Sequence, residues 1–261
     1  MSQRPKILIT LGCSYTEGEG CYDIELMEKY NASHYGTLPR DEMDKIKYKF
    51  HRDGFPNKLG NLLNYNKVIN LGLGGSGTSG QLKRFIEVFD KETFEGSDVL
   101  VFWYLSEPSR YSFYIQGSIH NRQMALPLEY QSDFDRYFIE RMDVDSDTLK
   151  EQLFYVRLMN HVCKSKNWNY LISHTQQTFQ EKIEKILLDE DYVLFFDGDN
   201  TMKIDSIRDK SKYCQHPNEI GYEKIANKIF DKIKEHKPHL ISTEIPSKFE
   251  WEWKGVDKKF I

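Results

Sequence analysis

Two residues that could together attack a carbonyl stand at opposite ends of this chain. Ser14 follows Lys6-Ile-Leu-Ile-Thr-Leu-Gly-Cys, where an apolar run from Ile7 to Leu11 stops abruptly at Gly12-Cys13. His216 lies in Cys214-Gln215-His216-Pro217-Asn218-Glu219-Ile220-Gly221-Tyr222, just ahead of a helical pattern. A serine hydroxyl is a weak nucleophile until a base takes its proton, and an imidazole titrates close to working pH. Charge developing on the attacked oxygen needs preorganised donors. In the segment Asn70-Leu-Gly72-Leu-Gly74-Gly75-Ser76-Gly77, glycine lets the backbone approach a ligand with no Cβ in the way. Each residue alone has a plainer reading. Ser14 is a good helix N-cap, and a His-Pro pair before a helix is usually a surface feature. Cys13 offers a thiol, but one residue before the turn tip it is expected to point into the packing.

The elements that must position these residues follow from apolar periodicity. Five short apolar runs read as strands: Ile7–Leu11, Lys67–Leu71, Val99–Tyr104, Tyr170–Ser173 and Tyr192–Phe196. Between them, Leu82, Phe85, Ile86 and Phe89 recur at helical spacing and predict a helix over 78–90. Leu149, Leu153, Val156 and Met159 do the same for 147–166, and Tyr222 to Ile233 for a last helix after Pro217-Asn218. Alternating strands and helices imply an α/β fold, with a parallel sheet covered on both faces. Ser14 then stands at a carboxyl strand end, where open α/β sheets bind their ligands.

Two stretches break the alternation. Residues 19–56 are polar and charge-rich, and residues 105–147 are aromatic and polar. Both begin at carboxyl strand ends, so both are placed to wall a site there or else to be surface insertions. These boundaries give one domain over 1–237 with insertions at about 19–56 and 105–147, and a C-terminal tail over 238–261 carrying Phe249, Trp251 and Trp253. The tail is expected to pack on the body or to serve oligomerisation.

Four pieces in order, Gly12-Cys13-Ser14-Tyr15-Thr16, Gly72–Gly77, Trp103-Tyr104-Leu105-Ser106-Glu107-Pro108-Ser109-Arg110 and Cys214–Tyr222, resemble the SGNH (GDSL-like) hydrolase superfamily. The resemblance covers residues 6–236. It implies a three-layer α/β/α sandwich with a five-stranded parallel sheet, flavodoxin-like in type. It also implies a carboxylic ester hydrolase with an acyl-enzyme on Ser14 and His216 as general base. Gly75 and Ser106 would complete the oxyanion hole beside the Ser14 N–H. Ser106 stands where the family has asparagine, and losing such a donor outright costs about 3 kcal/mol of transition-state stabilisation. Tyr213 stands where the family has its triad aspartate, three residues before the histidine, which leaves Asp197, Asp209 or a backbone carbonyl to orient the imidazole. Neither cofactor nor metal is implied. The substrate would be a small-molecule or glycan ester, with O-acetyl or another short acyl group on a carbohydrate in front. Aromatic residues between 103 and 138 could stack on sugar or form the underside of a lid.

Two other functions compete. A catalytically silent binding protein of the same fold is consistent with the missing asparagine and aspartate. A nucleotide-binding Rossmann-type protein is suggested by Gly72–Gly77, which spells G-x-G-x-x-G between a strand and a helix. That segment follows the second strand and not the first, and no acidic residue ends the next strand convincingly. Arg110 could meet an anionic substrate or pair with Glu107.

Composition narrows the classes. The formal net charge of −4 argues against a general nucleic-acid binder. No apolar run approaches the roughly 20 residues of a membrane helix, and no secretory leader is seen at the N-terminus, so a soluble cytoplasmic protein is expected. The four cysteines form no C-x-x-C pair, so neither a zinc site nor a disulfide framework is expected.

Overall fold

The structure, a computed structural model, describes residues 4–90, 94–106, 110–115, 118–123, 144–174, 185–187, 190–194, 210–214 and 216–253. Its centre is a five-stranded, all-parallel sheet. In chain order the strands are β1 (Lys6–Gly12), β2 (Lys67–Asn70), β3 (Asp98–Leu105), β6 (Asn169–His174) and β7 (Glu250–Trp253), and across the sheet they run β6-β3-β1-β2-β7. Between β3 and β6 in sequence, β4 (Arg110–Ile115) and β5 (Ser118–Gln123) form a separate antiparallel hairpin. β1, β2 and β3 are buried on both faces, as in parallel sheets generally, while the edge strand β7 is half-buried. Ile7, Ile9, Leu11, Ile69, Val101 and Trp103 face one side, while Leu8, Val68, Leu100, Phe102 and Tyr104 face the other.

Helices close both faces. On the first side lie α5 (Thr78–Phe89) and α6 (Val144–Ser165), through Leu82, Phe85, Val156 and Met159. On the second lie α2 (Ile24–Lys29), α3 (Arg40–Asp53), α4 (Phe55–Leu62) and α7 (Glu219–His236). A short helix, α1 (Ser14–Glu17), follows β1 directly. The α/β sandwich expected from the sequence is therefore the observed fold.

Two details differ from the sequence reading. Residues 19–56 are not a covering over a finished core. Ile46 and Phe50 on α3, with Phe55 and Leu59 on α4, are fully buried against Leu8, Val68 and Phe102 and make up much of one helical layer. The fifth strand is also a different one. Tyr192–Phe196 contributes only an isolated parallel bridge, Ile172 with Val193, within the described residues, and 195 and 196 lie outside them. The fifth strand is β7, from the segment after the last helix, which pairs with β2 from Lys67↔Glu250 to Asn70↔Trp253. Trp251 meets Tyr48, and Trp253 stacks on His51 with ring centroids 4.3 Å apart.

Candidate active site

The strand order places Ser14. β1 is the middle strand, with β2 and β3 on its two sides, so the chain leaves β1 one way and returns the other. Such a reversal opens a crevice at the carboxyl ends. Gly12 makes the turn with φ +156°, and a Cβ there would fall 2.0 Å from Thr16 Oγ1 and 2.7 Å from the Tyr104 carbonyl. Cys13 occupies the N-cap position of α1 and is buried, as its place before the turn tip predicts. Ser14 is the first helical residue, not the cap.

His216 is brought to Ser14 by the turn ahead of α7. Asn218 caps that helix by accepting from the Gly221 N–H at 3.0 Å, and its Nδ2 donates to the Lys210 carbonyl. The Ser211 N–H donates to the His216 carbonyl at 2.9 Å. Gly20 lets the chain after α1 press against this turn, since a Cβ there would fall 2.1 Å from the Pro217 carbonyl oxygen. Tyr222 Oη donates to the Glu19 carbonyl at 2.7 Å and ties α7 to the same segment. Across a separation of 202 residues, Ser14 Oγ and His216 Nε2 lie 2.7 Å apart, a hydrogen bond whose direction follows the imidazole tautomer. Tyr15 packs its ring against the imidazole at 5.1 Å.

The glycine segment lies beside the nucleophile. A Cβ on Gly74 would be 3.8 Å from Ser14 Cβ, and Gly75 has φ +74°. Ser106 stands at the end of β3, fully buried, with its hydroxyl accepting from Gln81 Nε2 at 3.3 Å. Gln81 Nε2 also donates to the Ser76 carbonyl, and Gln81 Oε1 accepts from Trp103 Nε1, so one amide ties the glycine segment to β3. Gly75 thus lies in the turn that follows β2 on one side of β1, and Ser106 just past the end of β3 on the other.

Three successive N–H groups of this segment, those of Gly72, Leu73 and Gly74, are turned inward. Leu73 N–H donates to the Gly12 carbonyl, Gly72 N–H to Asn70 Oδ1, and Gly74 N–H to Glu17 Oε2 at 2.6 Å. A dinucleotide loop keeps such donors for a pyrophosphate. Here a carboxylate occupies Gly74, an arrangement that repels phosphate.

Four carboxylate and imidazole groups around the site were not singled out from sequence. Glu17, at 2% exposure, lies 4.0 Å from the buried His51 through Oε1 and Nε2. Glu19 sits between two imidazoles, with Oε2 3.9 Å from His216 Nε2 and Oε1 3.8 Å from His34 Nε2. Glu19 therefore faces the nitrogen that meets Ser14, and not the Nδ1 side where a triad acid binds. Tyr213, at the family's acid position, packs edge-on against Tyr22. Asp197, Asp209, Glu107 and the aromatic residues from 124 to 138 lie outside the described residues. Trp103 and Tyr104 are buried in the core and offer no face to a sugar.

Burial raises the Glu17 carboxyl to about 7, against the stabilising Gly74 N–H, Lys47 and Arg84. Burial also depresses His51 to about 3. The signs oppose. A raised acid contributes stability that is full below the unfolded pKa and is lost as pH rises toward 7. A depressed histidine contributes stability that is full above about 6.5 and is lost as pH falls toward 3. Between the unfolded glutamate and histidine values, about 4.3 and 6.5, the two slopes cancel. The wild-type protein should be nearly flat in stability there, while Glu17→Gln should become steadily more stable with rising pH. Urea midpoints at pH 4.5, 5.5 and 6.5 check this, and parallel profiles for the two proteins would contradict it.

No protein-family model matches the chain, and no curated protein matches it. Among solved structures, the chain is similar to a protein from Desulfitobacterium hafniense DCB-2 described as a candidate lipolytic protein of the G-D-S-L family. The two share 15% identity with a TM-score of 0.49, over 87% of this chain and 98% of the other.

Proposed function

We propose that the chain is a serine hydrolase of carboxylic esters, built on the plan that its sequence shares with SGNH hydrolases. The observation that carries this reading is the 2.7 Å contact of Ser14 Oγ with His216 Nε2 at the carboxyl end of the middle strand. In the first step Ser14 Oγ attacks the ester carbonyl while its proton passes to His216 Nε2. The tetrahedral oxyanion is met by the N–H groups of Ser14 and Gly75, with the Ser106 hydroxyl as the third donor. Collapse expels the alcohol, which takes the proton from His216, and leaves an acyl group on Ser14. Water then attacks the acyl-enzyme with His216 again as base, releasing the acid and restoring the serine. The Glu19 carboxylate, close to Nε2, favours the imidazolium that forms in each step.

Short acyl groups suit the described surroundings. Ser14 is 3% exposed, with Gly74 against its Cβ and Glu19 alongside. An O-acetyl ester, including one carried on a carbohydrate, is the substrate class of this reading. The test is covalent. Incubation with a fluorophosphonate should add one adduct by intact mass, and Ser14→Ala should remain unlabelled. No adduct, together with no hydrolysis of short p-nitrophenyl esters, would overturn the enzyme reading and leave the silent binding fold.

A further inference from the structure

Beside the nucleophile, three different metal-binding side chains converge. One ligand atom each of Glu19, Cys214 and His216 lie within 4.8 Å of one another, all three residues half-buried. They come from two segments, 18–21 and 210–218, that are locked together by Gly20 against Pro217 and by Tyr222 on the Glu19 carbonyl. The Cys214 sulfur is supported as an acceptor: the His216 backbone N–H and the Ser211 hydroxyl reach it, and the Tyr22 phenol lies beside it. Groups of this kind around a metal-binding sulfur orient it and stabilise its anion.

We propose that Glu19, Cys214 and His216 form a zinc site that reversibly shuts the candidate active site. One thiolate, one imidazole and one carboxylate are a donor set for Zn²⁺ and not for Mg²⁺ or Ca²⁺, which require oxygen ligands. A tetrahedral zinc with bonds of about 2.0–2.3 Å draws the three atoms together by small side-chain rotations. The fourth position falls to water or to Ser14 Oγ, which already lies against the imidazole. Binding releases the Cys214 proton, Cys–SH plus Zn²⁺ giving Cys–S–Zn⁺ plus H⁺, so occupancy rises with pH.

The consequence for Ser14 does not depend on which ring nitrogen is taken. With zinc on Nε2, the lone pair that would accept the serine proton is gone. With zinc on Nδ1, the remaining proton sits on Nε2, which can then only donate to Ser14. Either way the base is lost while the metal stays. This inhibition rests on the hydrolase reading, whereas the metal site itself does not.

The test uses the whole chain, stripped with a chelator. Zn²⁺ followed by calorimetry at pH 7.5 should bind one equivalent, and Co²⁺ should give the thiolate charge-transfer band and the intense visible bands of a tetrahedral site. Cys214→Ser should lose the charge-transfer band, and both Cys214→Ser and Glu19→Gln should weaken zinc by at least about tenfold. Fluorophosphonate labelling of Ser14 should fall as zinc is added, return with chelator, and persist with zinc in Cys214→Ser. Absence of stoichiometric binding, or affinities unchanged in both variants, would overturn the site. Zinc binding without any labelling of the stripped protein would retain the site and reject the hydrolase, and labelling without zinc binding would do the reverse.

Discussion

Replacing His216 by alanine is expected to lower ester hydrolysis by ~10⁴–10⁶-fold, and Ser14→Ala by a similar factor. The reason is geometric. The described site offers Ser14 Oγ an imidazole at 2.7 Å, while the nearest carboxylate neighbours are otherwise engaged: Glu17 with the Gly74 N–H, and Glu19 between two imidazoles. Because serine and histidine act as one unit, the double variant should be little worse than either single one. Steady-state kinetics on p-nitrophenyl acetate give the comparison, with circular dichroism to show that each variant is folded. A His216→Ala enzyme retaining a tenth of the activity would remove the imidazole from the mechanism.

The second large effect concerns Gly72 and acts on the fold. A Cβ at this position would stand 2.3 Å from the Glu17 nitrogen and 2.5 Å from the Thr16 carbonyl carbon, both backbone atoms of α1. No rotamer change can relieve contacts with backbone, so Gly72→Ala must push the glycine segment away from α1. Overpacking of this kind costs about 3 kcal/mol, a fall in Tm of about 6–12 °C in a chain of this size. Gly96 provides the contrast. It has φ +75° but nothing within 4 Å of its would-be Cβ, so Gly96→Ala should cost only the left-handed backbone term of about 1–2 kcal/mol. Thermal melts of the two variants separate loss of space from backbone strain. The Gly72 variant should also lose activity, because Gly74 and Gly75 move with the displaced segment, whereas Gly96 lies just before the amino end of β3.

The parts of the molecule that could be read from sequence are those whose signal is local. β1 and the turn after it show as an apolar run halted by glycine, and α5, α6 and α7 show as apolar residues at helical spacing. Ser14 and His216 stand where those elements begin or end. Glu17 and Glu19 could not be read this way. In a polar stretch they look like solvated charges, and their burial depends on Gly74, His34 and His216 arriving from distant segments. One signal was present: Gly18 and Gly20, with φ +93° and +115°, interleave the two glutamates and mark a tightly folded backbone. α3 was hidden because Ile46 and Phe50 are set among lysines, arginines and acids that solvate its outer side. β7 was hidden because Glu250-Trp-Glu-Trp253 alternates polar and aromatic residues, as an edge strand does, while the apolar Tyr192–Phe196 run looked more like sheet. Tertiary pairing chose between those two candidates, and local pattern could not.

The place of β7 also bears on how the molecule is made. β1, β2 and β3 are adjacent in the sheet and are synthesised before β6 and β7, so that nucleus can form first. The outer edge of β2, however, pairs among the described residues with Glu250–Trp253 alone. Until those residues emerge, Val68 and Ile69 belong to a strand whose backbone donors and acceptors on that side are exposed, and His51 lacks its covering ring. A growing chain on the ribosome therefore carries an open strand edge from the emergence of β2 until that of β7, the kind of edge that recruits other chains. The aromatic pair Trp251 and Trp253 is the latch that closes it.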